Sequence, residues 1–335
     1  MRDFEGLREE QIVKAAVCRR YGPIGDVLEI RDREQPDPGE DQVLVRVRAA
    51  GVSAEDWHAV MGLPYVLRVT GYGFRRPVPS VAGRDAAGRV EAVGKNVTSL
   101  APGDDVFGSF VGAYAELACA DSSKVALKPT NLTYEEAAAV PGSGVTALQA
   151  LRDHAAVGEG QSVLINGASG GVGTYSVQIA ASLGAEVTGV CSTQKVDYVR
   201  SIGAKHVIDY KKDEPIRGDD AYDAIVDVAA NLRLAAVRAA LKPKGRYVSI
   251  GGSGGRWLGP LPRFARMGLA SLFTSRTLRP FVAKINCDDL QVLKGMIEGG
   301  VIKPIIERTY PLDEAADALA FVQAGHGRAK TIISV

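Results

Sequence analysis

The stretch Ser162-Val-Leu-Ile-Asn-Gly-Ala-Ser-Gly-Gly-Val-Gly173 leaves this chain few folds to choose from. It opens on a short apolar, β-branched run, Ser162–Ile165, which predicts a strand rather than a helix. A glycine-rich turn follows, carrying Ala168-x-Gly170-x-x-Gly173, and then a helix predicted over Val172–Leu183, stopped by Gly184. In such a turn each small residue serves a separate mechanical purpose. Ala168 sits where the strand bends, Gly170 where backbone approaches a pyrophosphate, and Gly173 where helix packs on sheet. The helix N-terminus presents unpaired N–H groups to an anion. Candidate nucleotide contacts are therefore Ala168, Ser169, Gly170, Gly171, Val172 and Gly173. A second unit follows at once, with a strand at Glu186–Val190, a helix at Gln194–Ile202 and a strand at Lys205–Ile208.

A chain of 335 residues favours two domains. Its 40 basic residues against 39 acidic ones imply neither nucleic-acid nor membrane electrostatics. No apolar run approaches the roughly 20 residues of a membrane span. Cys18, Cys119, Cys191 and Cys287 are scattered without paired spacing, which suits a reducing cytoplasm better than a disulfide framework or a zinc knuckle. The start, Met1–Gln11, is charged rather than a signal peptide, and Met1–Val13, ahead of the first convincing strand, reads as a frayed extension.

From Lys14 the texture is short strands with Gly and Pro punctuation: Lys14–Arg19, Leu28–Arg33, a turn at Gln35–Gly39, then an alternating strand at Val43–Ala50. Thr133-x-x-Glu136 is a capping box that opens a helix. Beyond Val140, strands at Val163, Val187, Val207, Ile225–Asp227 and Tyr247–Gly251 alternate with helices, the pattern of a doubly wound parallel sheet. Gly252–Pro280 is less patterned. The tail has helices at Asp288–Gly299 and Leu312–Ala324 and strands at Glu307–Tyr310 and Thr331–Val335, as if the chain returned to complete the first domain. The expected fold is α/β: residues 14–130 and 286–335 as a mostly β domain, 131–285 as a Rossmann sheet, and 1–13 as the extension.

Further motifs join the glycine-rich turn: Gly51-Val-Ser-Ala-Glu-Asp56, Pro79–Gly94, Pro102-Gly-Asp-Asp-Val-Phe107, Ala113-Tyr-Ala-Glu116, Gly203-Ala204 with Asp209-Tyr210, and Pro311-Leu-Asp-Glu-Ala315. Together they make the chain, from Lys14 to Val335, resemble the medium-chain dehydrogenase/reductase superfamily in its zinc-independent, quinone oxidoreductase-like branch. The resemblance implies a GroES-like catalytic domain, a Rossmann domain and an active site in the cleft between them.

Zinc-dependent members of that superfamily place a cysteine where this chain has Ser53 and His-Glu where it has Arg84-Asp85. A hydroxyl and a guanidinium are not zinc ligands, and His58, His154, His206 and His326 are dispersed, so no metal is expected. Without a Lewis acid, the remaining chemistry is hydride transfer from a nicotinamide to an acceptor with its own electron sink: a quinone, an enone or another conjugated carbonyl. The second strand ends Val190-Cys-Ser-Thr-Gln-Lys195 with no carboxylate for a ribose 2′-hydroxyl. Ser192, Lys195 and Tyr210 resemble the branch's 2′-phosphate clamp, which implies NADP(H); a plain βα turn with a solvated lysine is the alternative.

For the substrate side the resemblance points to Ser53, as hydrogen-bond donor to the acceptor oxygen, and His58, as proton donor. A loop serine and an exposed helix histidine are the bland alternatives. Asp56 is expected to fix structure by pairing with a basic residue. Val145 and Thr146 match positions that meet the nicotinamide amide, Gly251 follows the fifth strand at the ligand-binding edge, and Lys330 matches a C-terminal Gly-Lys in which Ala329 replaces the glycine. Met61–Pro77 and Gly254–Leu278, rich in arginine and aromatics, read as either a substrate lid or solvated surface. A metal-free alcohol or carbonyl dehydrogenase and a non-catalytic NADPH-binding protein are the competing functions. The resemblance also implies a homodimer, with Phe281–Ile285 as the edge strand.

Overall fold

The structure, a computed structural model, describes residues 12–335 except 70, 217, 252–254 and 326. His326 and most of the extension lie outside the described residues. The first strand begins earlier than the sequence suggests: β1 (Ile12–Cys18) pairs with β2 (Leu28–Glu34), the short α1 (Ile24–Val27) lying between them. Val13 is buried, so the extension ends before it.

Then come β3 (Gln42–Val52), α2 (Ala54–Met61), β4 (Asp85–Val93), β5 (Asp105–Ser109), β6 (Leu117–Asp121) and β7 (Val125–Leu127). β3 is the hub. Its length lets it pair with β6 at one end and β4 along most of its run. At its other end it pairs with the chain's last strand. Gly88 sits where β4 crosses it, because a Cβ there would lie 2.2 Å from the Arg46 carbonyl oxygen. Two helices then lead out of the sheet, α3 (Tyr134–Ala138) and α4 (Pro141–Gln149). The capping box is present: Thr133 N donates to Glu136 Oε2 and Glu136 N to Thr133 Oγ1.

The parallel region runs β8 (Ser162–Asn166), α5 (Gly171–Ser182), β9 (Glu186–Cys191), α6 (Val196–Ser201), β10 (His206–Asp209), β11 (Tyr222–Asp227), α7 (Leu234–Ala240), β12 (Leu241–Ile250), α8 (Leu261–Ser271) and β13 (Thr277–Phe281). Strand order β10-β9-β8-β11-β12-β13 is doubly wound, with its switch point beside β8. The sixth strand, β13, departs from the sequence expectation. It precedes Val282 instead of occupying Phe281–Ile285, and its Arg279 and Pro280 hide the apolar signal. Proline is tolerated because β13 is an edge.

The tail supplies α9 (Cys287–Glu298), β14 (Ile306–Pro311), α10 (Ala315–Gln323) and β15 (Lys330–Ser334). β15 pairs antiparallel with β3, Thr331 opposite Val52, and β14 lies outside it. One apolar core fills the space between α3, α4 and α5 and the parallel sheet; a second lies inside the bent β sheet under α10.

Candidate active site

The glycine-rich turn joins β8 to α5 at the switch point. The sharp bend falls at Gly167, whose φ of +82° is left-handed, and not at Ala168, which is buried. Gly173 is a packing residue: a Cβ there would sit 2.1 Å from the Gly167 carbonyl oxygen. Gly170 is different. Its φ is an ordinary −82° and a Cβ would meet only the Gly167 oxygen at 3.6 Å, so its smallness serves the space outside the turn. That space faces the first turn of α5, which has no side-chain cap and no acidic residue. Its free N–H groups with the glycine surface fit a pyrophosphate. Gly171 and Val172 form this first turn, and Ser169 is buried, its carbonyl accepting from Ala329 N at 2.9 Å.

At the neighbouring strand ends, Ser192 follows β9 and Tyr210 follows β10, beside one another because Asp209 pairs with Cys191 in register. Lys195 Nζ donates to the Gly327 carbonyl at 2.5 Å, and Arg328 lies 5.0 Å over the Tyr198 ring. Tyr198 is tied to Thr174 of α5 at 3.1 Å. Arg328 is thus a second cation at this edge. Sequence reasoning missed it because it arrives from the far end of the chain. Gly251, φ +67°, is exposed past β12 with open space where a Cβ would be.

Lys330 is engaged inside the protein. It is only 3% exposed, its Nζ donates to Val52 O at 3.2 Å and stands 3.7 Å from Asp85 Oδ2. Its stem lies against Gly171, where a Cβ would come within 3.1 Å of Lys330 Cδ and of Ser143 Oγ. Asp85 also accepts from Gly142 N at 3.0 Å, at the start of α4. Burial pushes the Asp85 carboxyl up, while Lys330 and the Gly142 amide pull it back. One buried ion pair therefore ties β4, α4, α5 and β15 together.

The residues proposed for catalysis are occupied. Ser53 caps α2, and both its N–H and its hydroxyl donate to Asp56 Oδ2 at 2.8 Å. Tyr114 OH donates to the same oxygen at 2.9 Å. Asp56 thus fixes structure through neutral donors, not through the basic partner the sequence suggested. Its Oδ1 is buried without a hydrogen-bond partner among the described residues, and burial, with the Asp85 charge adding to it, pushes the carboxyl up to about 6.

His58 stacks on Trp57 and its Nδ1 meets Leu63 O at 2.6 Å. A carbonyl accepts, so Nδ1 carries the proton. Burial holds the imidazole pKa down, and the neutral ring offers an acceptor at Nε2, not an acid. Thr146 Oγ1 donates to Gly142 O at 2.6 Å within α4, and Val145 is fully buried in the core, so its side chain meets no ligand. Among the described residues, no three His, Cys, Asp or Glu side chains converge as a metal site. Arg84 reaches Glu55 at 3.2 Å, and Tyr72 OH donates to the same carboxylate at 2.5 Å.

The two arginine-rich segments meet each other. Tyr65 N donates to Arg256 O at 2.7 Å and Val66 N to Trp257 O at 3.0 Å, with Tyr65 edge-on to Trp257. Arg263 is an anchor, not surface: it reaches Asp227 Oδ2 at 3.3 Å, Leu232 O at 2.8 Å and Tyr247 OH at 2.5 Å beneath the sheet edge. Asn166 donates to the other Asp227 oxygen at 2.6 Å, so this network steadies the floor next to the glycine-rich turn.

Known proteins share this arrangement. Residues 39–157 match the family described as alcohol dehydrogenase GroES-like domain, and 202–333 the one described as zinc-binding dehydrogenase. Human quinone oxidoreductase is 31% identical over 90% of this chain and 92% of its own. The solved quinone oxidoreductase from Coxiella burnetii superposes with a TM-score of 0.85 at 26% identity, over 97% of this chain and 100% of that one. A mycobacterial protein solved with NADPH gives 0.81 at 26% identity, over 96% and 100%. With its sheet order, its returning tail and these matches, the chain belongs to the medium-chain dehydrogenase/reductase superfamily, in its quinone oxidoreductase-like branch.

Proposed function

We propose that this protein is a metal-independent, NADPH-dependent reductase of quinones or α,β-unsaturated carbonyls. One observation carries the reading: the donor hydrogens of Ser53, His58 and Thr146 are all committed inside the protein. A simple aldehyde or ketone needs an acid or a metal to take up alkoxide charge. A conjugated acceptor spreads that charge itself and tolerates a site built for orientation.

Bound at the switch point, the reduced nicotinamide supplies the hydride. The first turn of α5 with Gly170 and Gly171 holds the pyrophosphate, and Ser192, Lys195 and Tyr210 hold the 2′-phosphate, joined by Arg328. Ser53 and His58 contribute shape and lone pairs rather than protons. Burial raises the thiol pKa values to about 11 at Cys18, Cys119 and Cys191 and keeps these cysteines protonated.

The test is nicotinamide consumption with NADPH and NADH against quinones, enones and simple aldehydes, with and without a chelator. We expect chelator-resistant turnover of conjugated acceptors with NADPH preferred. Turnover confined to simple aldehydes, or abolished by chelator, overturns the reading.

A further inference from the structure

The segment ahead of β4 folds back along the first strand. Ala82 N donates to Ala16 O at 3.0 Å and Cys18 N to Ser80 O at 2.7 Å, with Val81 opposite Val17, so residues 80–82 run beside the end of β1. The loop before them is pinned. Val78 N donates to Tyr72 O at 2.8 Å, and the Tyr21 hydroxyl reaches that same carbonyl at 2.6 Å and Gly73 O at 2.5 Å. Gly73 has a left-handed φ of +93°, and a Cβ there would sit 2.2 Å from Arg76 O. The backbone at Arg76 is thereby fixed near Arg19, the residue that follows β1.

Between these pieces lies a hollow of about 490 Å³, the size of a small-molecule site. Arg19, Arg33 and Arg76 line it with Ser80, Val78 and the buried Cys18, and no Asp or Glu does. Among the described residues none of the three guanidiniums has a carboxylate within ion-pair distance. Arg33 Nη1 donates to Ser80 Oγ at 2.9 Å, which orients its plane and leaves its other N–H groups for a ligand. Three guanidiniums gathered on one concave surface repel one another. A hollow lined by one sign of charge focuses its field on an ion of the other sign.

We propose that this hollow is an oxyanion site, which takes the carboxylate or phosphate of a small amphiphile. Guanidiniums match the paired oxygens of either group bidentately. The Ser80 hydroxyl accepts from Arg33 and keeps its own hydrogen to donate. Val78, 56% exposed, is an apolar wall for the chain that carries the charge. The site is distinct from the nucleotide phosphates. Those are served by the ends of β8, β9 and β10, whereas this one is built from β1, β2 and the loop before β4.

The test is calorimetric titration of the full chain, in excess NADPH so that the glycine-rich turn is filled, with hexanoate, hexyl phosphate and hexanol. The site variant is Arg19→Gln with Arg76→Gln, and Arg48→Gln with Arg238→Gln removes the same charge elsewhere. All four side chains are exposed, so the melting temperature should hold, and a thermal melt verifies it. We expect anion binding with a Kd of about 1 mM or tighter, none by hexanol, and weakening at high salt. Affinity should fall about fivefold for each arginine neutralised at the site and stay unchanged in the other variant. The tighter of hexanoate and hexyl phosphate then names the headgroup. Equal binding of hexanol, losses no larger in the site variant than in the other, or no binding of either anion overturns the proposal.

Discussion

The glycine-rich turn and the pair of buried carboxylates are built in opposite ways. The turn is local. Its working parts lie within Gly167–Gly173, and what matters is backbone shape and missing side chains. The carboxylate side is assembled from afar: Asp56 with Tyr114, Asp85 with Lys330, partners separated by 58 residues or more in sequence. A local device can be altered with little effect on the rest of the fold, whereas the assembled one carries stability along with function.

Breaking Asp85–Lys330 should show the largest effect. Lys330→Met leaves a carboxylate 5% exposed without its cation, and should cost about 3–5 kcal/mol in urea unfolding. Adding Asp85→Asn should restore most of that loss. If Lys330→Met is neutral, the assembled pair carries no more stability than the local turn.

Asp56 sharpens the same contrast through pH. Its folded pKa of about 6 lies above the ordinary 3.8, so the folded state holds the proton more tightly than the unfolded one. The resulting stabilisation is complete below about pH 4 and is lost as pH rises through about 6. The swing is on the order of 3 kcal/mol. Asp56→Asn should remove that component. Subtracting the wild-type unfolding curve from the variant's, between pH 4 and pH 7, isolates it from carboxylates such as Glu298, held down at about 2 by Lys294. Equal slopes in the two proteins would refute it.

The smallest stability effect belongs to the turn. Gly170→Ala has room in the fold and should leave the melting temperature nearly unchanged while weakening NADPH binding at least tenfold, about 1.4 kcal/mol. Lys195→Met should weaken NADPH by a similar factor and leave NADH unaffected. Calorimetric titration with both nucleotides separates the two.

This division also explains what could be read from the sequence. Gly170, Gly173, the Thr133–Glu136 box and the stop at Gly184 are local, so spacing exposes them. The burial of the Val145 side chain is not legible, because alignment by resemblance does not say which side of α4 faces the core. Lys330 is visible as a residue but not as half of an ion pair, since nothing near Asp85 in sequence announces a partner at the other end. β13 escapes notice because charge and proline at a sheet edge mask the periodicity on which strands are recognised. Arg263 passes for surface because only the fold brings Asp227 beneath it.

The pairing of β15 with β3 also bears on how the chain comes to be folded. Thr331 lies opposite Val52, and between them the whole parallel domain is made. As the polypeptide leaves the ribosome, the parallel domain can close around its own neighbouring strands while β3 still waits for β15. The part of the protein synthesised first is therefore the part finished last, and its exposed sheet edge must be shielded until the last strand arrives.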